Sequence, residues 1–523
     1  MVLLLSIDCW INAEGISVLS SPHYIVRASQ VSVMDLEDNA VAGASLKQLK
    51  EAFVSNLHGS SMVEIAAMSA VVPIFVILRQ LSGLLLQPAP RGAVASSNEQ
   101  GKSSGSARDN KLYVTLLLKD FIFVALPTLA CLTILADWVY VVTGVSLLLT
   151  SIGILVYRRR SHILKDAHIP PEEKTVEPLP RKTSFLSSFR FSMMLVTVIS
   201  ILAVDFKVFP RRFAKTETYG TGLMDVGVGS FVVANGLVSR QARNLPPSKY
   251  GGALRNTSPL LVIGFARLIL TKGVDYQEHV AEYGVHWNFF FTLAGVTLLT
   301  SIIHVPAAYC GSLAVLILGG YQASLSYGLN KYLLSSERGP GLISLNKEGI
   351  YSTLGYWSLY LISVRLGSYL LYLSERLRRQ DASTDSRIKG ATTWWIVMDI
   401  WLLDAIFWLL AVFVDEFIER VSRRTCNMAY VLFVLAQNLE VTAIFLTAES
   451  LLPPRLMPLL QIFDDNMLGT FLWANLLTGL VNMSMQTIFA PTLVAMGALS
   501  TYLALLVGGM GIVGTRGLKL KFW

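Results

Sequence analysis

"FRFSMMLVTVISILAVDF", residues 189–206, runs directly into "KVFPRRFAKTETYG", residues 207–220. The first piece is an apolar run close to the ~20 residues that a helix needs to cross a bilayer. The second packs lysines and arginines against the end of that run, behind the carboxylate of Asp205. The whole chain follows the first piece. Of its 523 residues 53% are hydrophobic and only 15% charged, with a mean hydropathy of +0.53, whereas soluble domains carry roughly 25% charge. This is the composition of an integral membrane protein. Further apolar runs lie around 63–86, 113–136, 138–156, 190–205, 222–238, 257–272, 287–304, 307–329, 352–373, 393–416, 427–448, 468–489 and 492–514. They predict about 13 transmembrane helices. These runs are far longer than barrel strands, and lipid offers no partner for open backbone, so the expected fold is an all-α helix bundle.

A net charge of +8 could point to nucleic acid, but the cations cluster in loops between apolar runs, where the positive-inside bias accounts for them. The richest basic loops are 157–190, 239–256, 374–390 and the tail "TRGLKLKFW". With the crossings above, all four fall on one side, which places them in the cytosol, the N-terminus in the lumen and the C-terminus in the cytosol. By the same count 205–221 and "DYQEHVAEYGVH" (275–286) face the lumen. Positive charge at 205–221 therefore runs against the topological rule and calls for another reason.

Residues 1–44 read as a poorly constrained N-terminal extension, and 45–523 as a single multi-pass membrane domain. "MVLLLSI" at the start lacks the charged region of a cleaved signal peptide. The Ser- and Gly-rich segment 88–110 reads as a flexible loop, and its "GKSSG" has neither the strand nor the helix that a nucleophile elbow needs. Four scattered cysteines without CxxC spacing indicate neither a metal site nor a disulfide framework.

Within 205–220, Asp205 sits at the membrane boundary and Pro210 suits the first turn of a short helix, which would put Arg211 and Lys215 on one face at i,i+4. A carboxylate beside a lysine at this depth supports two readings. Asp205 can act as a general base while Lys215 stabilises an oxyanion, or the two can form an ion pair that pins helices while Arg211 and Arg212 reach lipid headgroups. The following "GTGLMDVGVGSFVVANG" places glycine at 222, 229 and 236, a spacing that lets helices approach closely. Asp225 inside it needs a partner or a polar cavity. Glu278, His279, Glu282 and His286 precede another helix and read as a hydrogen-bonded collar or a substrate rim, without the spacing of a metal site. Asn475 and Asn482, on similar faces of one helix, read as interhelical hydrogen-bonding groups or the lining of a headgroup cavity.

"ILAVDFKVFPRRFAKTETYGTGLMDVGVGSFVVANGLVS" (201–239) resembles the signature stretch of the GPI-anchor inositol acyltransferase family, the PIG-W type enzymes of the endoplasmic reticulum. So do "LKQLKEAFVSNLHGSSMVEI" (46–65), "DYQEHVAEYGVHWNFFFTL" (275–293), "NKEGIYSTLGYWSLYL" (346–361), "SRRTCNMAYVLFVLAQN" (422–438) and "FLWANLLTGLVNMSMQT" (471–487). The resemblance implies an acyl-CoA-dependent enzyme of the endoplasmic reticulum membrane. It would move a fatty acyl group, palmitoyl in the family's usual case, to the inositol 2-hydroxyl of glucosaminyl-phosphatidylinositol, with acyl-CoA as co-substrate and no cofactor or metal. It implies Asp205 and Lys215 as the catalytic pair. Arg211, Arg212, Asp225, His286, Asn288, Asn475 and Asn482 are then the expected substrate-binding groups, and membrane lipids rather than nucleic acid the expected surroundings. A lipid or solute transporter, gated at Asp225, and a non-catalytic assembly subunit are the competing readings from other classes.

Overall fold

The computed structural model describes residues 53, 55, 57–85, 105–166, 184–246, 250–272, 280–381, 386–453 and 455–520. The extension at 1–44 lies outside the described residues, as do 88–104 of the expected loop; residues 105–110 are helical rather than loop. Among the described residues the chain is all-α, with only isolated bridges joining Gly59 and Ser60 to Thr221.

Each apolar run is helical. In chain order the helices are α1 (Met62–Leu85), α2 (Gly105–Asp120), α3 (Val139–Asp166), α4 (Ser184–Ala203), α5 (Leu223–Leu237), α6 (Tyr250–Lys272), α7 (Phe289–Ile302), α8 (Ala307–Ser324), α9 (Lys347–Asp381), α10 (Ser386–Phe417), α11 (Met428–Leu451), α12 (Met467–Ser484) and α13 (Thr492–Thr515). Past Asp120, α2 continues through a wide turn, Phe121–Ala125, into Leu126–Leu132. Pro127 has no N–H for the ladder there, and the turn widens to compensate. Among the described residues, 8 helical spans are long and apolar enough to cross a membrane, while Leu223–Leu237, Thr257–Ile269 and Phe289–Ile302 are shorter apolar helices. The chain is thus an all-α polytopic membrane protein, with fewer full-length crossings than runs.

Which face each helix turns to lipid follows from its apolar stripes. Val141, Leu148 and Leu155 on α3 and Trp395, Leu402 and Leu409 on α10 repeat every seventh residue and are all at least 54% exposed. Such outward apolar surface belongs against acyl chains. By contrast α11 is buried over 89% of its apolar window. It packs against α1, α4, α5, α9 and α10 and forms the axis of the bundle. The heptad glycines serve close approach: a Cβ at Gly229 would lie 2.6 Å from Val434 of α11, and one at Gly236 would lie 2.6 Å from Ser363 of α9. Since α5 is pressed onto both, its first turn and the segment before it are fixed over the end of α11. Residues 204–222, the short helix Val280–Tyr283 and the loop 418–427, buried from Val421 to Asn427, meet at that end.

Candidate functional site

The segment after α4 is held by apolar side chains and by one arginine. Phe206, Phe209 and Phe213 are each 0% exposed, so a sequence rich in charge is nailed down by its aromatics. Arg211 turns back onto the open carbonyls at the end of α4. Its Nη2 donates to the carbonyls of Val204 (2.8 Å), Phe206 (3.2 Å) and Phe209 (3.0 Å), and its guanidinium lies 4.1 Å over the Phe53 ring. A cation at a helix C-terminus satisfies carbonyls that would otherwise lack partners. Burial pulls the Arg211 guanidinium down to about 10, and the Asp205 carboxylate works against that shift. The short helix expected after Pro210 is only a 3-10 turn, Arg211–Phe213, because Ala214 is already extended (φ −68, ψ 175). Arg211 and Lys215 therefore do not share a helical face.

Asp205 and Asn482, far apart in sequence, are brought together: Asn482 Nδ2 donates to Asp205 Oδ2 at 2.8 Å. The amide fixes the orientation of the carboxylate, and Asn482 Oδ1 stays buried without a hydrogen-bond partner. Lys215 Nζ lies 2.8 Å from Glu282 Oε1. That same oxygen is 2.8 Å from Arg423 Nη1, and Arg423 Nε is 2.6 Å from Asp225 Oδ1. Asp225 completes the chain of contacts: its Oδ2 accepts from the Thr216 N–H at 3.0 Å, the Thr216 hydroxyl at 2.8 Å and the Gly222 N–H at 3.1 Å. The last bond is the back-reaching half of a capping box for α5. Asp225 is thus partnered rather than open to a cavity. Burial by itself would raise the Glu282 carboxyl, but Lys215 and Arg423 together hold it well below the usual carboxylate range. Burial opposes the charge of Arg423, and Glu282 and Asp225 more than restore it. Lys215, with a side chain 40% exposed, is the cation of this network that faces outward.

The other expected site residues have varied surroundings. Arg212 pairs with Glu64 (2.9 Å) and with Asp137 (2.6 Å). Asn288 caps α7: its Oδ1 accepts from the N–H groups of Phe290 (3.0 Å) and Phe291 (3.3 Å), and its Nδ2 donates to the Gly264 carbonyl at 3.0 Å. His286 offers its backbone N–H to Asn346 Oδ1 at 2.8 Å. Asn475 bonds back to the Phe471 carbonyl of its own helix at 2.7 Å, two turns away from the Asn482–Asp205 contact. Glu278 and His279 lie outside the described residues.

A polar network of this kind needs several distant segments at once, and all of them fall within one family match. The family model GWT1 covers residues 46–513. The chain belongs to the GWT1 family. An uncharacterized Arabidopsis thaliana protein is 44% identical over 82% of this chain and 94% of its own length. GPI-anchored wall transfer protein 1 of Aspergillus oryzae is 35% identical over 91% of this chain and 99% of its own. Phosphatidylinositol-glycan biosynthesis class W protein of Dictyostelium discoideum is 31% identical over 77% of this chain and 88% of its own. The match takes in both Asp205 and Lys215 and the residues that surround them.

Arg423 is the member of this network that the sequence reading missed. An arginine pair directly ahead of an apolar run looks like a helix flank. The signal that it is more lies in topology: "SRRTCN" precedes a helix that starts at the end of the bundle where Asp225 needs a cation. Its neighbour Arg424 braces the same loop, with Nη2 at 3.0 Å from Glu348 Oε1, an oxygen also 2.7 Å from Arg338 Nη2.

Proposed function

We propose that this protein acts in GPI-anchor biosynthesis, moving a fatty acyl group from acyl-CoA to the inositol hydroxyl of glucosaminyl-phosphatidylinositol in the endoplasmic reticulum membrane. The names of the fungal and Dictyostelium relatives support the pathway. The observation that carries the chemistry is the arrangement of Asp205 and Lys215, each held by its own partner at one end of the bundle.

In this reading Asp205, oriented by Asn482, accepts the proton of the inositol hydroxyl as the oxygen attacks the thioester carbonyl. Lys215, aimed by Glu282, stabilises the oxygen on which negative charge develops. Collapse of the tetrahedral intermediate breaks the carbon–sulfur bond, and the proton held by Asp205 passes to the departing CoA sulfur. A thioester is already activated, so orientation and charge suffice and no serine or cysteine nucleophile is needed. Arg212, with a partner carboxylate on Asp137 that is 79% exposed, can exchange that partner for the lipid phosphodiester, and Arg211 keeps a buried Nη1 without a hydrogen-bond partner as a second donor. Residues 205–221 then face the lumen.

Purified protein supplied with labelled acyl-CoA and glucosaminyl-phosphatidylinositol tests the proposal. Acylated lipid, lost in Asp205→Asn, supports it. Lipid movement between leaflets without acylation would instead indicate a transporter.

A further inference from the structure

On the side of α1 that carries Met62, Val63 and Ala66, a separate cavity of about 40 Å³ lies among α1, α10 and α11. The network of Lys215 and Arg423 takes no part in it. Trp401, Asp404, Trp408 and Val412 line it from α10, at spacings that form one stripe of that helix, and Glu440 lines it from α11. Asp404 and Glu440 are 5% and 3% exposed, yet Asp404 Oδ1 and Glu440 Oε2 have no hydrogen-bond partner. No Lys, Arg or His is among the lining residues. Intramembrane carboxylates without a cationic side chain are costly and mark functional sites. Either a shared proton or a cation from elsewhere has to offset that cost.

The donor set narrows what can supply it. Metal cations such as Ca²⁺ want roughly 6–8 oxygen ligands, and only two side chains here offer any. Indole faces, in contrast, attract organic cations, and a volume of this size suits a group about as large as a water molecule. Val412, 46% exposed, and Met62, the first residue of α1, flank the cavity. They open it toward lipid, and Glu64, two residues after Met62, pairs with Arg212. We propose that the Asp404–Glu440 cavity is a binding site for the primary ammonium group of a lipid headgroup, with Trp401 and Trp408 as its aromatic walls. The amino sugar of the acceptor is the occupant to which we commit, a choice that rests on the function proposed above; an aminophospholipid carries the same chemistry.

The test reads binding, without acyl-CoA and without turnover, as thermal stabilisation of the purified protein in nanodiscs. The probes are glucosaminyl-phosphatidylinositol, its N-acetylated form and phosphatidylethanolamine. Wild type should bind the free amine at least about tenfold more tightly than the N-acetylated lipid, the range expected when a charged group's partner is removed. The double variant Asp404→Asn/Glu440→Gln should lose that discrimination, yet be more stable than wild type when no lipid is added, because two facing acids have become neutral. Acyl-CoA binding should be unchanged. If the double variant does not fold, Trp401→Leu serves instead and should weaken amine binding alone. Equal binding of phosphatidylethanolamine would keep the ammonium site but assign it to aminophospholipids. Equal binding of the N-acetylated lipid by wild type, or discrimination that survives in the variants, would overturn the proposal and leave a proton-bridged structural acid pair. If discrimination is present while no acylated product ever forms, the acyltransfer reading fails and this one stands.

Discussion

Arg423 lies 2.6 Å from Asp225 through Nε and 2.8 Å from Glu282 through Nη1, with 4% of its surface exposed. Arg423→Met keeps most of the stem's volume and removes the only side-chain cation that pairs with Asp225 among the described residues; Asp225 is 1% exposed. Stranding a buried carboxylate in this way costs about 3–5 kcal/mol. Against a total stability of roughly 5–15 kcal/mol, that is a large fraction. The free thiols of Cys131, Cys310 and Cys426 are all buried, so a thiol-reactive fluorogenic dye reports unfolding in detergent as temperature rises. The midpoint should fall steeply in Arg423→Met and by less in Arg423→Lys, because one ammonium cannot span two carboxylates as a guanidinium fork does. Adding Asp225→Asn to Arg423→Met should recover part of the loss, with a coupling of about 1–3 kcal/mol. An unchanged midpoint in Arg423→Met, or strict additivity with Asp225→Asn, would refute the argument that this arginine is the electrostatic keystone of the site.

Three further outcomes follow from the same geometry. Asp205→Asn should lower turnover about 10²–10⁴-fold and Lys215→Met about 10²–10³-fold, with acyl-CoA binding and thermal midpoint retained; near-normal turnover in Asp205→Asn would move the chemistry elsewhere. Arg212→Lys should raise the KM for the lipid acceptor more than that for acyl-CoA, since an ammonium lacks bidentate phosphate contacts, and equal effects on both would leave it a purely structural partner of Glu64. Glu282 has a depressed value when folded, so its contribution is fully present above its unfolded value of about 4.3 and is lost as pH falls through the lower folded one. The midpoint gap between wild type and Glu282→Gln should therefore be constant through neutral pH and close only in acid, and a gap that closed on the alkaline side would contradict the network.

Much of this protein was legible in the sequence because lipid imposes so strict a rule. A backbone in hydrocarbon has to bond to itself, so every long apolar run becomes a helix and the positions of α1 to α13 follow from hydropathy. Motif resemblance pointed to Asp205 and Lys215, and the structure shows that each has a polar partner. The heptad glycines of α5 announced close packing before their neighbours were known. What the linear pattern could not say is which charged group meets which. Local spacing suggested that Arg211 and Lys215 share a helical face, but Arg211 is drawn back to the carbonyls of Val204, Phe206 and Phe209. Lys215 instead meets Glu282, from a segment about 67 residues onward. Asn288 looks like a polar group offered to a ligand until its two amide ends are found on the cap of α7 and the Gly264 carbonyl. Arg423 is 198 residues from Asp225, and no periodicity links positions so distant. Helix formation depends on residues a turn apart, whereas charge pairing depends on distance in space, and only the packing of α5, α9 and α11 decided those distances.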